Sequence, residues 1–174
     1  LIEKPKRPTS NLAVVGIYYI KSCGVLKTSL DQVISRRIMT KGEYQLTDAL
    51  QLMIDGGVKF RTFNVKGWYD CGKPEALLET NRQLLGKGKQ VRRLKGSRII
   101  APVFAAKSAR VEGCVLGPNV SVGERAHLKN STVENSIIGQ QAVVEESVLT
   151  SSLVGNRATI KGASGSVNVG DSSE

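Results

Sequence analysis

The sequence predicts two regions of different fold class, an α/β region over residues 1–86 and an all-β parallel β-helix over residues 99–174. Residues 1–86 alternate apolar runs, typical of buried strands, with apolar residues at helical spacing. Residues 99–174 instead repeat a motif in which an aliphatic residue precedes glycine and a small or branched residue follows three positions later. Residues 87–98 separate the two regions as a basic linker.

The α/β region carries two strand signals and three helix signals. Its first apolar run fits a strand buried on both faces. Thr47 can cap a helix, Pro74 can open one, and glycines can end both. The predicted elements are a strand over Asn11–Ile20, a helix through Val25–Ile34, a helix from Thr47 to Gly56, a strand over Val58–Val65 and a helix from Pro74 to Gly86. These strands are too few for a complete sheet, so the region is expected to be an incomplete α/β domain.

The second region has a six-residue step, which predicts one short strand and one turn for each face of a three-sided coil. The aliphatic residue should fill the interior, and the glycine should occupy a corner, where a positive φ costs it little. The spacing of 16 residues from Val122 to Ile138 to Val154 predicts faces of unequal length. The motif begins at Leu116, Val122, Ile138, Val154 and Val169.

This motif disfavours a β-sandwich, which alternation with a period of two would otherwise allow. It resembles the hexapeptide-repeat family, and that resemblance implies a left-handed β-helix. Such coils stack only on their neighbours and share one interior. The register predicts a continuous buried prism lined by Ile99, Val103, Leu116, Val122, Ile138, Val144, Val154 and Ile160.

Composition limits the expected partners and compartment. The net charge is +10, which is compatible with nucleic acid or with a phosphorylated small molecule. The linker has no aromatic residue for base stacking, so no nucleic-acid partner is expected. The three cysteines are widely spaced, which favours a reducing cytoplasm over a disulfide framework or a zinc site. No apolar run could span a bilayer, so no membrane association is expected.

Three motifs in the α/β region resemble one enzyme family in order and spacing. They are Glu3-Lys4-Pro5 with Ser10-Asn11-Leu12-Ala13-Val14, then Gly42-Glu43-Tyr44-Gln45-Leu46-Thr47-Asp48, then Gly67-Trp68-Tyr69-Asp70-Cys71-Gly72. With the β-helix, they resemble the sugar-1-phosphate nucleotidylyltransferases over almost the whole chain. Taken singly, Lys4 could be a solvated charge and Asp70 a turn residue, but the ordered set favours the functional interpretation.

The resemblance implies an enzyme that joins a sugar 1-phosphate to a nucleoside triphosphate and releases pyrophosphate. Glucose 1-phosphate with dTTP or UTP is the expected pair. Lys4 would be the catalytic cation on the sugar phosphate, and Glu3 would accept hydrogen bonds from sugar hydroxyls. The backbone of Val14 would complete the sugar contacts, and the Asp70 carboxylate would bind Mg²⁺.

The resemblance also implies that part of the active site lies outside these residues. The family's Gly-rich triphosphate loop and a second metal-binding aspartate would precede Leu1, and the chain begins without Met, as a fragment would. Positioning and charge neutralisation supply most of the catalysis in phosphoryl transfer. We therefore expect the 174-residue chain alone to be inactive.

His127, the only histidine, raises an alternative function. Many hexapeptide-repeat proteins are acyltransferases that use a histidine as base. His127 lies between Ala126 and Leu128, which should point inward, so alternation predicts an exposed imidazole on the outer face. A third interpretation is a non-catalytic scaffold or oligomerisation module, and a homo-oligomer is expected.

Overall fold

The computed structural model describes residues 1–2, 7, 10–86, 94 and 96–174, which form two compact units, Leu1–Trp68 and Tyr69–Glu174. Among these described residues, the first unit contains two helices, and the second contains one helix and the β-helix. The division falls before the predicted boundary at Gly86 because the helix that precedes this glycine packs on a β-helix strand. The assignment of residues 1–86 to one domain and 87–98 to a linker stays a prediction.

Two helices form the core of the first unit, α1 (Cys23–Ser35) and α2 (Leu46–Asp55), and they pack against each other. Helix α1 was expected from the spacing of its apolar residues, and α2 from a capping residue at its start and glycine at its end. Helix α2 has Gln45 at its N-cap, so Thr47 is a buried first-turn residue and not the predicted cap. The buried residues of the two helices are Ser29, Val33, Thr47, Ala49, Leu50 and Met53.

The two strands predicted for the first unit are wrong, because residues 11–20 and 58–65 have no strand structure. A strand is stabilised by backbone hydrogen bonds to a neighbouring strand. Among the described residues of this unit, the one β-bridge joins Thr40 and Glu43. Apolar side chains of the first segment are left in solvent, with Leu12 72% and Tyr19 90% exposed. The apolar run therefore marks a segment that lacks a partner strand among the described residues.

The second unit begins with α3 (Pro74–Leu85) and continues with short parallel strands. Pro74 opens the helix and Gly86 follows it, as predicted. The strands are β1 (Arg98–Ile99), β2 (Val103–Ala105), β3 (Arg110–Glu112), β4 (Val115–Leu116), β5 (Val120–Val122), β6 (His127–Lys129), β7 (Thr132–Glu134), β8 (Ile137–Ile138), β9 (Val143–Glu145), β10 (Val148–Thr150), β11 (Leu153–Val154), β12 (Thr159–Lys161), β13 (Ser164–Gly165) and β14 (Asn168–Val169).

These strands form a three-sided β-helix in which each complete coil adds one strand to each of three sheets. Sheet 1 contains β1, β4, β7, β10 and β13; sheet 2 contains β2, β5, β8, β11 and β14; sheet 3 contains β3, β6, β9 and β12. The register places Val122 beside Ile138 and Ile138 beside Val154, as the repeat predicts. Equivalent residues are 17 apart in the first coils and 16 apart in later ones, and the last pair of strands, β11 and β14, is 15 residues apart. The predicted parallel β-helix is confirmed.

The interior of the β-helix is a continuous apolar core. Ala126, Ala142 and Ala158, the small residues of the motif, are completely buried. Contacts between neighbouring coils therefore stabilise this unit, as expected for a solenoid. Of the residues predicted to line the prism, Ile99 in the first coil is partly buried, and the others are buried, namely Val103, Leu116, Val122, Ile138, Val144, Val154 and Ile160.

The motif glycines allow close approach between coils, which is a different role from the predicted one. Gly139 has no positive φ, but a Cβ there would lie 2.6 Å from the backbone of Gly155 in the next coil. Gly117, with a φ of 103°, is an exception. The positive φ values occur two residues after the later glycines, at Arg125, Gln141, Arg157 and Ser172. Steric exclusion of a side chain, rather than backbone freedom, explains most of these glycines.

Replacing Gly139 with alanine should lower the free energy of unfolding by about 2–3 kcal/mol, because the methyl group would force adjacent coils apart. Gly170 provides a matched control in the same column. A Cβ there meets only Ser173 Oγ, at 3.8 Å, so Gly170→Ala should change stability by less than about 0.5 kcal/mol. Urea denaturation followed by circular dichroism measures both variants, and equal effects would contradict the steric explanation.

Two columns of buried serines satisfy backbone groups inside the β-helix. Ser131 Oγ donates a hydrogen bond to Lys129 O at 2.8 Å and accepts one from Ser147 N–H at 3.1 Å. In the second column, Ser136 Oγ accepts a hydrogen bond from Ser152 N–H at 3.0 Å. Each hydroxyl links two coils without leaving a buried polar group unpaired.

Candidate functional site

Asp70 lies in a turn that leads into α3. Its Oδ1 accepts a hydrogen bond from the N–H of Gly72 at 3.1 Å, which fixes the orientation of the carboxylate. A Cβ at position 72 would lie only 3.2 Å from that oxygen, so glycine gives the carboxylate room to fold back. The Asp70 side chain is exposed. The turn therefore presents an oriented carboxylate that a ligand can reach.

Cys71 is exposed beside this turn and is not a packed core residue. Its Sγ lies 3.5 Å from Thr80 Oγ1 on α3. The Thr80 hydroxyl in turn donates a hydrogen bond to Ala76 O, one helical turn earlier. The thiol thus contacts the helix surface and does not enter the core.

Helix α3 is attached to the outer surface of the β-helix by side-chain hydrogen bonds. Asn81 accepts a hydrogen bond from Ser121 Oγ at 2.5 Å and donates one to Asn119 O at 3.2 Å. Arg82 donates a hydrogen bond to Asn135 Oδ1, at 3.2 Å, and Leu78 is buried. Because the Asp70 turn continues directly into α3, and α3 is attached to the β-helix, the β-helix helps to fix the position of the carboxylate.

The other residues predicted for the site have different positions. Val14 lies in the irregular segment 11–20 of the first unit and is 51% exposed. Glu3 and Lys4 lie outside the described residues. Of the four predicted site residues, Asp70 is the one for which the structure shows an oriented functional group.

A divalent cation could be held by Asp70 only together with other ligands. Within residues 10–86 and 96–174, no group of three or more His, Cys, Asp or Glu side chains could hold a metal. Asp70 nevertheless fits as a single accessible carboxylate, since Mg²⁺ usually takes its remaining ligands from substrate phosphates and water. Among the described residues, the donors therefore suit a metal site completed by substrate and water and not one built from protein side chains alone.

Comparison with known proteins identifies the family of the region that ends after α3. Residues 1–87, half of the chain, match the family model described as nucleotidyl transferase. The chain belongs to the nucleotidyl transferase family. The resemblance of its motifs to the sugar-1-phosphate nucleotidylyltransferases is thereby confirmed at the level of the family. The matched segment ends at residue 87, whereas the compact units divide after Trp68.

Curated relatives extend the similarity of this nucleotidyl transferase chain into the β-helix. A glucose-1-phosphate thymidylyltransferase of Streptomyces antibioticus is 28% identical over 162 residues, covering 79% of this chain and 43% of the relative. The low-salt glycan biosynthesis nucleotidyltransferase Agl11 of Haloferax volcanii is 30% identical over 162 residues, covering 79% and 44%. A bifunctional sugar-1-phosphate nucleotidylyltransferase/acetyltransferase of Sulfurisphaera tokodaii is 34% identical over 118 residues, covering 62% and 28%. The chain thus spans less than half the length of these relatives.

His127 of this nucleotidyl transferase chain faces outward from sheet 3, as predicted, but it is only partly exposed. Its Nε2 lies 3.8 Å from Glu112 Oε1 and is enclosed, with no hydrogen-bond partner among the described residues. In this conformation, Nε2 is therefore not open to a substrate from solution. The geometry therefore gives this imidazole a place in the sheet surface and not in an open pocket.

Sequence reasoning missed the polar residues that recur once per coil. Ser131 and Ser147 are separated by one coil, and so are Ser136 and Ser152. The signal that could have found them was a second period of 16 residues in addition to the six-residue step.

No helix in the described part of the chain has the length and apolar character needed to cross a bilayer.

Proposed function

We propose that this chain is part of a sugar-1-phosphate nucleotidylyltransferase, with glucose 1-phosphate and dTTP or UTP as substrates. The observation that carries the proposal is the oriented, accessible Asp70 carboxylate in a turn supported by the β-helix. The activities for which the relatives from Streptomyces antibioticus and Sulfurisphaera tokodaii are named support this reaction class. The proposed activity is that of the whole protein, of which the chain supplies one part.

In the proposed reaction, a phosphate oxygen of the sugar 1-phosphate attacks the α-phosphorus of the nucleoside triphosphate. The new P–O bond replaces the bond to the bridging oxygen of the β-phosphate, and pyrophosphate leaves with that electron pair. Lys4 would neutralise the sugar phosphate, Glu3 would accept hydrogen bonds from sugar hydroxyls, and the Val14 backbone would complete the contacts. A bound Mg²⁺ would neutralise phosphate charge, and Asp70 would help to hold it in position.

The test is expression of the longest reading frame that contains these residues. Purified protein should release pyrophosphate only when both glucose 1-phosphate and dTTP or UTP are present, and mass spectrometry should detect the nucleotide sugar. The 174-residue chain alone should show no turnover, because the groups that hold the triphosphate are expected elsewhere. Failure of the longer protein with every common triphosphate and sugar 1-phosphate would contradict the proposed reaction. Turnover by the chain alone would contradict the proposed division of the site.

Acyl transfer by the β-helix, the alternative indicated by His127, has less support because the imidazole Nε2 is enclosed and lies 3.8 Å from the Glu112 carboxylate. A reducing cytoplasm is our proposed setting, in line with three free cysteines. Burial raises the pKa of the Cys114 thiol, which keeps it protonated and unreactive there.

A further inference from the structure

The outer surface of sheet 3 carries a column of alternating charges. The register aligns Glu112 with Lys129, Lys129 with Glu145, and Glu145 with Lys161, so the column reads minus, plus, minus, plus. The Glu112 and Lys161 side chains at its ends are 62% and 65% exposed. A parallel second column on the same face holds Arg110, His127, Val143 and Thr159.

Ion pairs within one chain do not neutralise all the charges of this column. The Nζ of Lys161 lies 3.7 Å from Glu145 Oε2, and such exposed pairs contribute only about 0–1 kcal/mol. The Glu112 carboxylate approaches His127, at 3.8 Å, which carries a charge only when protonated. Most of the column therefore remains available to an opposing surface.

The order of charges is complementary to itself when it is reversed. If a second copy faces sheet 3 with its coils running in the opposite direction, Glu112 meets Lys161 and Lys129 meets Glu145 on both sides of the axis. If the coils run in the same direction in register, glutamate meets glutamate and lysine meets lysine. In the reversed arrangement, the second column places His127 opposite Val143 and Arg110 opposite Thr159. No two residues of like charge therefore face each other in that column.

We propose that sheet 3 binds a second copy of this chain in a two-fold, antiparallel arrangement, with the charged column at its centre. A net charge of +10 makes copies repel each other generally, so association requires a surface that is locally neutral and complementary. The column meets that requirement with two acidic and two basic residues. Strands lie about 4.8 Å apart, so the column is only about 14 Å long, which suits a weak and salt-sensitive dimer.

Charge reversal tests the proposal in the 174-residue chain. Lys129→Glu alone would oppose two pairs of glutamates across the axis, and Glu145→Lys alone would oppose two pairs of lysines. Each variant should dimerise at least about tenfold more weakly than the native chain, measured by sedimentation velocity over a concentration series. An equimolar mixture should recover the native dimer, because each variant then meets the opposite charge.

The double variant Lys129→Glu/Glu145→Lys separates this interface from pairing within a chain. It removes the alternation of charges along the column within each chain, but every pair across the antiparallel interface still joins opposite charges. The double variant should therefore dimerise as the native chain does. Arg98→Glu and Glu134→Lys, on exposed positions of sheet 1, make the same changes in net charge and should leave dimerisation unchanged. Circular dichroism checks that each variant is folded.

The effect of ionic strength distinguishes this dimer from association through apolar surface. Raising the ionic strength from about 0.01 M to about 1 M shortens the Debye length from about 30 Å to about 3 Å and should dissociate it. A native chain that is monomeric at low salt, association that survives both single reversals, or a mixture that fails to recover the dimer would overturn the proposal.

Discussion

Replacing Val122 with lysine should unfold the β-helix. Val122 is completely buried in β5, and it lies beside Ile138 in the apolar column of the next coil. A lysine there would place an ammonium group in the core with no partner, at a cost of at least about 4 kcal/mol. Because each coil is stabilised mainly by its neighbours, the loss should spread beyond one coil. Charged substitution of Ile138 should have the same effect.

Val148 provides the matched control for this prediction. It is also a strand valine of the β-helix, but its side chain is 50% exposed on sheet 1. Val148→Lys should therefore change the free energy of unfolding by less than about 0.5 kcal/mol. Far-UV circular dichroism and thermal denaturation compare the two variants. Retention of the native spectrum and melting profile by Val122→Lys would show that the register is wrong.

Replacing Asp70 with asparagine in the whole protein should reduce nucleotidyl transfer at least about a hundredfold, on the proposed function. The substitution removes the charge that would bind Mg²⁺. It keeps an amide oxygen that can accept the hydrogen bond from Gly72 N–H, so the turn should survive. A large loss of activity with an unchanged melting temperature is therefore the expected result.

Glu75→Gln is a suitable control, because Glu75 is an exposed acidic residue in the first turn of α3 and the substitution removes the same charge. Its activity should match the native protein. Rates of pyrophosphate release measured across a Mg²⁺ titration compare the variants. Native turnover and Mg²⁺ dependence in Asp70→Asn would remove Asp70 from the metal site.

The sequence predicted the β-helix well because its period carries most of the information about its structure. Val122, Ile138 and Val154 occupy equivalent places in successive coils, so their register follows from their spacing. Helix α3 was equally predictable, since Pro74 and Gly86 mark its ends. Local signals were sufficient wherever the stabilising contacts lie close in sequence.

Prediction failed where structure depends on contacts that the sequence pattern does not specify. Residues 11–20 have the composition of a buried strand, yet a strand also needs a neighbour, and composition does not identify one. The role of Gly139 was misassigned because a close approach by the next coil is visible only in three dimensions. Asp70 was found by its motif, but the hydrogen bond that orients it depends on the fold of the turn.

The offset of 16 residues between later coils restricts how the length of this solenoid can change. Removal of residues 132–147 would join Ser131 to Val148 in place of Ser147, the equivalent serine one coil later. Every following side chain would then keep its interior or exterior position. Loss or gain of a single residue would instead exchange interior and exterior positions until the next corner. We therefore expect natural variation in this part of the family to occur in whole coils, so that shorter and longer homologues differ in height but share one cross-section.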